Sequence, residues 1–456
     1  MENNGKNKGQ QLSRRKFIQH SGVLAAAGSF LGMPTIVPSK VLGKNAPSNI
    51  INIGMIGTGR WARSTNTRQF LGYDDCRIVA VCDVDSWRLE ESRKQVNNHY
   101  AQNSNSSNAA SCRAYLDYRA LLEQPDIDAV MISSPDHWHV PHSIDAIKAG
   151  KDVCCEKPLT LSIEEGRVLS DLAKKYNCVF RNDSEARSDR YFHRLCELVL
   201  NGRIGNLKKI RAGVPIADQG SGPVPEMPVP AELDYNRWIG PAPMAPYTEK
   251  RVHPSKGWGR PGWMRVRDYT EGVVTNWGTH ILDVVQWAND TDRTGPVLVE
   301  AEGTYPEEKG LWDVMLTFEA YYKYANGVEL FYSNTEDRPF VRCEGDEGWI
   351  EYTWFSEEMK ASSDSILESE IGPDEINLLL KGDKRDFLDC VKTREQTLQD
   401  AEVGHRTCSL CQLANISVEA GEKRLKWDPD KETFDDEEAN RLKSRDRWRA
   451  EWLLNR

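Results

Sequence analysis

One glycine turn constrains this chain more than any other feature. The short apolar run Ile50 to Ile56 ends in Gly57-Thr58-Gly59-Arg60-Trp61-Ala62, and helical periodicity follows from Trp61 to Leu71. In a G-x-G-x-x-A turn between strand and helix, each small residue has its own task. The first permits the tight turn, the second lets a pyrophosphate approach the backbone, and the third lets helix and strand pack closely. The helix N-terminus supplies donors and positive potential. A second apolar run, Arg77 to Cys82, ends at Asp83, 21 residues past Ala62, where a carboxylate can accept from ribose hydroxyls. An ordinary glycine turn followed by a loop aspartate would leave this spacing unexplained.

The pattern downstream agrees with a nucleotide-binding fold. Apolar runs at Ala129 to Ser133, Asp152 to Cys155 and Val179 to Arg181 alternate with helical patterns at Trp87 to Tyr100, Tyr118 to Glu123, His139 to Ala149 and Ile163 to Tyr176. Strands alternating with helices predict a parallel sheet covered on both faces. The Asn/Ser/Gln/Ala stretch from Asn97 to Ser111 reads as a surface insertion. After about residue 185 longer strand-like runs follow one another: Leu207 to Val214, Val297 to Tyr305, Trp312 to Tyr324, Val328 to Asn334 and Trp349 to Phe355. They predict a second domain built on a mostly antiparallel sheet. Helical patterns return at Ile376 to Lys392 and Ala401 to Glu422, and Asp435 to Arg456 reads as a charged helical tail. The expected division is an N-terminal segment 1–34, a linker arm 35–49, a nucleotide-binding domain 50–182 and an α/β domain 183–456. The last would bind substrate and mediate oligomer contacts.

Charge separates the leader from the body. The chain has 59 Lys and Arg against 69 Asp and Glu, a net −10, yet residues 1–34 carry five basic groups and one acid. The remainder is therefore −14, a poor match for nucleic acid or an anionic membrane surface. Ser13-Arg14-Arg15-Lys16-Phe17-Ile18 precedes an apolar stretch, Gly22 to Met33, closed by Pro34. That stretch is shorter than the ~20 residues of a membrane-spanning helix. Paired arginines before Phe and an aliphatic residue resemble a twin-arginine export signal; the plainer reading is a disordered basic tail. Export implies a periplasmic protein, with the leader cleaved or kept as an anchor. The cysteine count, eleven, is odd. Adjacent Cys154 and Cys155 point to opposite faces of a strand, and Cys408-x-x-Cys411 lacks a second pair. Buried reduced thiols are the expectation, which suits a route that exports folded proteins.

Further motifs point to one family. Ser134-Pro135-Asp136-His137-Trp138-His139, Glu156-Lys157-Pro158, Asn201-Gly202-Arg203-Ile204-Gly205, Trp238-Ile239-Gly240-Pro241, Trp277-Gly278-Thr279-His280-Ile281-Leu282-Asp283 and Trp427-Asp428-Pro429 follow the glycine turn in order. Together they resemble the Gfo/Idh/MocA oxidoreductases, in an exported bacterial branch, over residues 48–456. The resemblance implies a Rossmann domain followed by an α/β domain whose open sheet serves as substrate platform and oligomer interface. It also implies NAD(P)-dependent hydride transfer on sugars, inositols or their derivatives.

Within that frame the site residues acquire roles. Gly57, Thr58, Gly59, Arg60, Trp61, Asp83, Ser134, His139, Glu156, Lys157 and Arg187 are the expected cofactor-binding set. Asp83 repels a 2′-phosphate and favours NAD over NADP, although Arg88 lies close in sequence. Oxidising a secondary alcohol needs a hydride acceptor, a base for the hydroxyl proton and a donor to steady the oxygen. Lys157, just past the fourth strand, is the expected proton relay, against the plainer reading of a surface lysine before a turn. A histidine in the context of His280 usually sits near the reacting hydroxyl in this family, with an acid four residues earlier. Here that position is Asn276, so either another carboxylate substitutes (Asp283, Asp268 or Glu271), or Lys157 and His280 share the work, or the chemistry is altered. Asp283 is the first choice for a catalytic role, with helix packing or capping as its alternative. His137, His139 and His142 cluster without an evident acid or thiol, so no metal site is expected. Trp238, Trp258 and Trp263 suit either sugar stacking or packing.

The sequence therefore predicts a periplasmic oxidoreductase acting on a carbohydrate or polyol hydroxyl. Its cofactor should be tightly held, because nicotinamide is not replenished outside the cytoplasm, and a second substrate should reset it. A rival is redox-neutral glycoside cleavage through transient sugar oxidation; another is a non-catalytic binding protein.

Overall fold

The computed structural model describes residues 49–103, 111–217 and 219–445. The leader at 1–34, the arm up to residue 48, the middle of the polar insertion and the end of the charged tail lie outside these residues.

Six parallel strands form the first sheet: β1 (Ile51–Ile56), β2 (Cys76–Cys82), β3 (Arg113–Tyr115), β4 (Ala129–Ile132), β5 (Asp152–Glu156) and β6 (Phe180–Asp183). Their order is β3-β2-β1-β4-β5-β6, with the chain reversing direction across the sheet at β1. β1, β4 and β5 are almost wholly buried, as strands covered on both faces must be. The expected strands and helices occur here with ends shifted by a few residues. The short edge strand β3 follows the polar insertion. The helix after the glycine turn is irregular: residues Ala62–Asn66 form a π-helical turn that leads into α1 (Thr67–Leu71). This distortion aims Asn66 inwards, where its amide donates to Ser133 Oγ at 3.0 Å and to Glu156 Oε1 at 2.8 Å. The remaining helices are α2 (Ser86–Asn103), α3 (Tyr118–Leu122), α4 (His139–Lys148) and α5 (Ile163–Lys175). Ser162 caps α5 by accepting from the Glu165 N–H, acids occupy its first turn and lysines its last, each complementing the helix dipole.

The second sheet has nine strands: β7 (Leu207–Gly213), β8 (Leu298–Thr304), β9 (Thr317–Lys323), β10 (Glu329–Ser333), β11 (Phe340–Gly345), β12 (Trp349–Thr353), β13 (Met359–Ala361), β14 (Leu425–Asp428) and β15 (Thr433–Phe434). Their order is β13-β12-β11-β7-β10-β9-β8-β14-β15, and only the β7–β10 pair is parallel. Burial alternates along the strands because one face is packed and the other open. The packed face lies against α6 (Arg190–Leu200), α7 (Gly278–Ala288) and the C-terminal half of α9 (Ala401–Glu419). The predicted strand from Trp312 starts only at Thr317, and β11, β13, β14 and β15 went unpredicted.

The helix expected over Ile376 to Lys392 begins at Asp383, forming α8 (Asp383–Thr393), and it belongs to the first core rather than the second. Phe387, Leu388 and Cys390 pack with Ile51, Ile53, Ile78 and Ala129. The ends of β6 hold the helix in place: buried Arg181 pairs with Asp383 and Asp386, and Asp183 pairs with Lys384. A boundary at residue 182 therefore divides the sequence but not the packing, because just over 200 residues later the chain returns to complete the nucleotide-binding half. Phe387→Ala should remove about 3–5 kcal/mol of stability. Denaturant unfolding should register this loss in the N-terminal sheet, although the residue lies far beyond it in sequence.

Candidate active site

A cavity of about 500 Å³ opens at the carboxyl edge of the parallel sheet, where ligands bind in folds of this kind. Gly57, Gly59, Arg60, Trp61, Asp83, Ser134, His139, Glu156, Lys157 and His280 all line it. Its first part fits a dinucleotide. Gly57 has φ +84°, and an added Cβ would stand 2.5 Å from the Ser134 nitrogen, so the turn excludes any side chain. At Gly59 an added Cβ would meet nothing within 4 Å. It would project into the open space that a pyrophosphate requires. Asp83 lines the same cavity, held by Thr58, whose N–H and Oγ1 donate to its Oδ2 at 2.8 and 2.9 Å. Thr58 thus serves the cofactor site by fixing Asp83 rather than by facing the ligand, a correction forced by its burial. Arg88 is committed elsewhere: it pairs with Asp85 at 2.8 Å and donates to the Pro254 and Gly257 carbonyls. It lines the cavity already paired with Asp85, which weakens it as a ligand for a 2′-phosphate.

A second layer comes from the Pro- and Trp-rich segment. Ser86 N–H donates to Glu232 O and Asp234 N–H to Val84 O, so residues 232–234 pair with the loop after β2. Trp238 is buried beneath this roof with Tyr235, Tyr247 and Tyr269. Trp258 reaches the cavity beside Trp87, with ring centres 5.2 Å apart, and lies under the Arg63 guanidinium. Of the three tryptophans, Trp238 packs and lines an edge of the cavity, while Trp258 and Trp263 are half-buried in its wall.

The other end of the cavity gathers around Lys157. Its Nζ donates to the Asn276 carbonyl at 2.9 Å. Desolvation holds the amine below the usual lysine range, while Glu156, Asp136 and Glu185 pull it back up and Arg260 pushes it down. His280 places Nδ1 against the Ser184 carbonyl. Because a carbonyl only accepts, Nδ1 carries the proton, and the neutral ring has its lone pair on Nε2. Burial and the Lys157 charge keep the ring well below its usual pKa and therefore neutral. His139 lies between two carbonyls, Nδ1 at 2.7 Å from Pro158 O and Nε2 at 2.8 Å from Ser134 O; burial lowers it to about 4, so the neutral ring donates to only one of them. His142 stacks on Trp138, and its Nδ1 lies 3.1 Å from Ser134 Oγ. Among the described residues no His, Cys, Asp or Glu cluster is arranged to hold a metal. All eleven cysteines are free and ten are buried; Cys408 accepts from the Leu159 N–H inside the core.

Two predicted site residues belong elsewhere. Arg187 and Asp283 form a buried bidentate pair at 2.9 and 2.8 Å, away from the cavity lining, and Arg187 also binds Asp292. Arg187 is thus not a cofactor ligand and Asp283 not a catalytic acid, since each charge is already neutralised by the other. Asp283 instead accepts from Ser184 Oγ at 3.0 Å, and Ser184 in turn receives His280. Its role is to position the histidine. Glu271 is buried against Arg445 and, like Asp268, does not line the cavity. The acids that do are Asp136, Glu156 and Glu185, together with Asp83 and Asp117. Asp136 accepts from Thr270 Oγ1 at 2.8 Å, and burial raises it to about 7. Sequence reasoning quoted Asp136 within its motif without giving it a role, and it missed Glu185, Trp354 and Phe355. Only Asp136 carried a signal, its place beside His137 and His139.

Comparisons with known proteins agree with this geometry. Residues 51–184 match the oxidoreductase-family NAD-binding Rossmann fold, and residues 216–454 match the oxidoreductase-family C-terminal alpha/beta domain. The chain belongs to the Gfo/Idh/MocA oxidoreductase family. Its NAD-binding domain and its α/β class follow from that membership and from the sheets described above. It is 31% identical over 215 residues to a glycosyl hydrolase family 109 protein of Shewanella pealeana, covering 43% of this chain and 44% of the relative. It is 30% identical over 190 residues to a myo-inositol 2-dehydrogenase of Thermotoga maritima, covering 42% and 49%. The matches thus span less than half the length of these relatives. Among solved structures, the aldose-aldose oxidoreductase of Caulobacter crescentus has the same fold, with a TM-score of 0.60 and 16% identity over 82% of this chain and 99% of the other. A levoglucosan dehydrogenase solved with NADH and levoglucosan gives 0.58 and 17% over 83% and 99%.

Two variants separate cofactor contacts from scaffold. Gly59→Ala should fold with unchanged stability in the nucleotide-free protein, yet retain less NAD on purification, measured by release and absorbance. Asp283→Asn should lose about 3–5 kcal/mol in denaturant unfolding, because it leaves Arg187 partly uncompensated in the core, while the Asp83 site keeps its affinity for NAD.

Proposed function

We propose that the protein transfers a hydride between a tightly bound NAD and a secondary hydroxyl of a sugar, glycoside or polyol. The observation that carries this reading is the convergence of Lys157 and neutral His280 on one cavity continuous with the Gly57–Asp83 nucleotide site. When bound, NAD supplies the hydride acceptor. The protein's own groups handle the rest. Lys157, its proton affinity lowered by desolvation, takes the hydroxyl proton or returns it in the reverse direction. His280 Nε2 accepts a hydrogen bond from the substrate and orients it. Trp258, Trp263, Trp277 and Trp354 wall off water and offer flat apolar faces of the kind that sugar rings stack on.

A second reading is redox-neutral glycoside cleavage through transient oxidation. It is favoured by the number of acid–base groups in the cavity, more than alcohol oxidation alone needs, and by the likeness to the Shewanella pealeana protein. Release at the expense of sugar oxidation would give a keto-sugar and reduced cofactor in equal amounts; cleavage would give free sugar with no net reduction. In either case Lys157→Ala should slow single-turnover cofactor reduction by ~10²–10⁴. An unchanged rate in that variant would overturn the assignment of the site.

The export reading rests on Arg14 and Arg15 ahead of the short apolar stretch. Eleven unpaired cysteines suit a protein exported already folded. Replacing both arginines by lysine should retain the protein in the cytoplasm of a bacterial host, as checked by cell fractionation. The open face of the second sheet, with half-buried Tyr321 beside exposed Phe331, supports self-association there.

A further inference from the structure

Glu185 is unlike the other acids of the cavity. It sits between β6 and α6 with φ +65°, a left-handed backbone that a non-glycine residue adopts only when its surroundings hold it there. Its carboxylate lines the cavity, and among the described residues no hydrogen bond or ion pair reaches it. Asp136, by contrast, is bonded to Thr270, Glu156 to Asn66 and Asp183 to Lys384. Asp136 and Glu156 are also buried, whereas Glu185 keeps part of its surface open. The same turn places the Ser184 carbonyl on His280, so one backbone segment aims both groups at the reacting centre.

We propose that Glu185 is the proton-relay residue of this site, receiving from Lys157 the proton that leaves the substrate hydroxyl and passing it to solvent. The inference rests on the hydride-transfer reading above and names the acid that stands in for the missing carboxylate at Asn276. The relay moves one proton and no electrons. The substrate O–H bond breaks as an N–H bond forms on Lys157; because Lys157 and Glu185 form no direct ion pair, that N–H bond breaks as a solvent water takes the proton and gives one of its own to Glu185, forming the O–H bond there. The groups facing Glu185 are Glu156 and Lys157 from the end of β5, Asp183 from β6 and Asp383 from α8. Burial and the three acids raise Glu185 to about 8, and Lys157 opposes them. Lys157 is shifted the other way, so the two affinities approach each other, the condition under which a proton passes readily in either direction. Asn276 cannot accept a proton, and Asp136 and Glu156 each already accept a hydrogen bond, from Thr270 and Asn66.

The test uses the full-length holoprotein, Glu185→Gln and Glu185→Asp. Single-turnover reduction of bound cofactor would be followed with the fastest substrate among glucose, methyl glucosides and myo-inositol. In the wild type the rate should rise with pH through about 8, as the carboxylate becomes free to accept. Glu185→Gln should lose that rise and fall ~10²-fold at high pH, with KM unchanged; Glu185→Asp should restore the rise. Infrared difference spectra should show a protonated carboxyl band that disappears near pH 8 in the wild type and is missing from Glu185→Gln. If Glu185→Gln keeps the wild-type pH profile while Lys157→Ala is slow, the relay is wrong and the hydride-transfer reading stands. If no substrate reduces the wild-type cofactor, that reading fails. The infrared band would still judge Glu185, since titration in the usual carboxylate range would overturn its role.

Discussion

The buried pair between Arg187 and Asp283 is the constraint on which the site depends. It joins the turn after β6 to α7 at the junction of the two sheets, where neither charge meets water. A lone charge there would be very costly, so the pair fixes the turn and the helix relative to each other. Ser184 lies at the centre of this arrangement: its hydroxyl goes to Asp283, and its carbonyl receives His280. Holding Ser184 also holds Glu185 in its left-handed conformation. A structural ion pair thereby sets the direction of His280 and Glu185, which face the cavity, without lining it itself.

The same principle governs the nucleotide side. Thr58 engages Asp83, Asn66 engages Glu156, and Arg88 is bound by Asp85 and two carbonyls. Each contact removes freedom from a side chain that faces the cavity, so less ordering is left for the ligand to impose. The roof built from residues 232–263 adds a wall that sequence distance alone would assign to the other domain.

Much of this was legible in the sequence because local chemistry dictates it. The glycine turn, Asp83 and the alternation of apolar runs with helical patterns place the Rossmann sheet without reference to anything distant. Lys157 and His280 were legible through motifs whose order matched a family. The errors came where partners are far apart in sequence. Asp283 stands one helical turn from His280, which suggested shared chemistry; its partner, Arg187, lies 96 residues earlier, and no local pattern reveals the pairing. α8 has an apolar face suited to any core, and the pairing of Arg181 with Asp383 and Asp386 and of Asp183 with Lys384 assigns it to the first.

The sequence by itself determined the nucleotide fold and singled out the acid after β2, Lys157 and His280, which the structure places in one cavity. These follow from residues whose function depends on near neighbours: a turn, a strand end, a helix start. The tertiary structure alone decided which acids face the cavity. Charges are neutralised or exposed by what packs against them, so Asp283 became part of the scaffold. Glu185, unremarkable in a string of polar residues, was left unpaired beside Lys157.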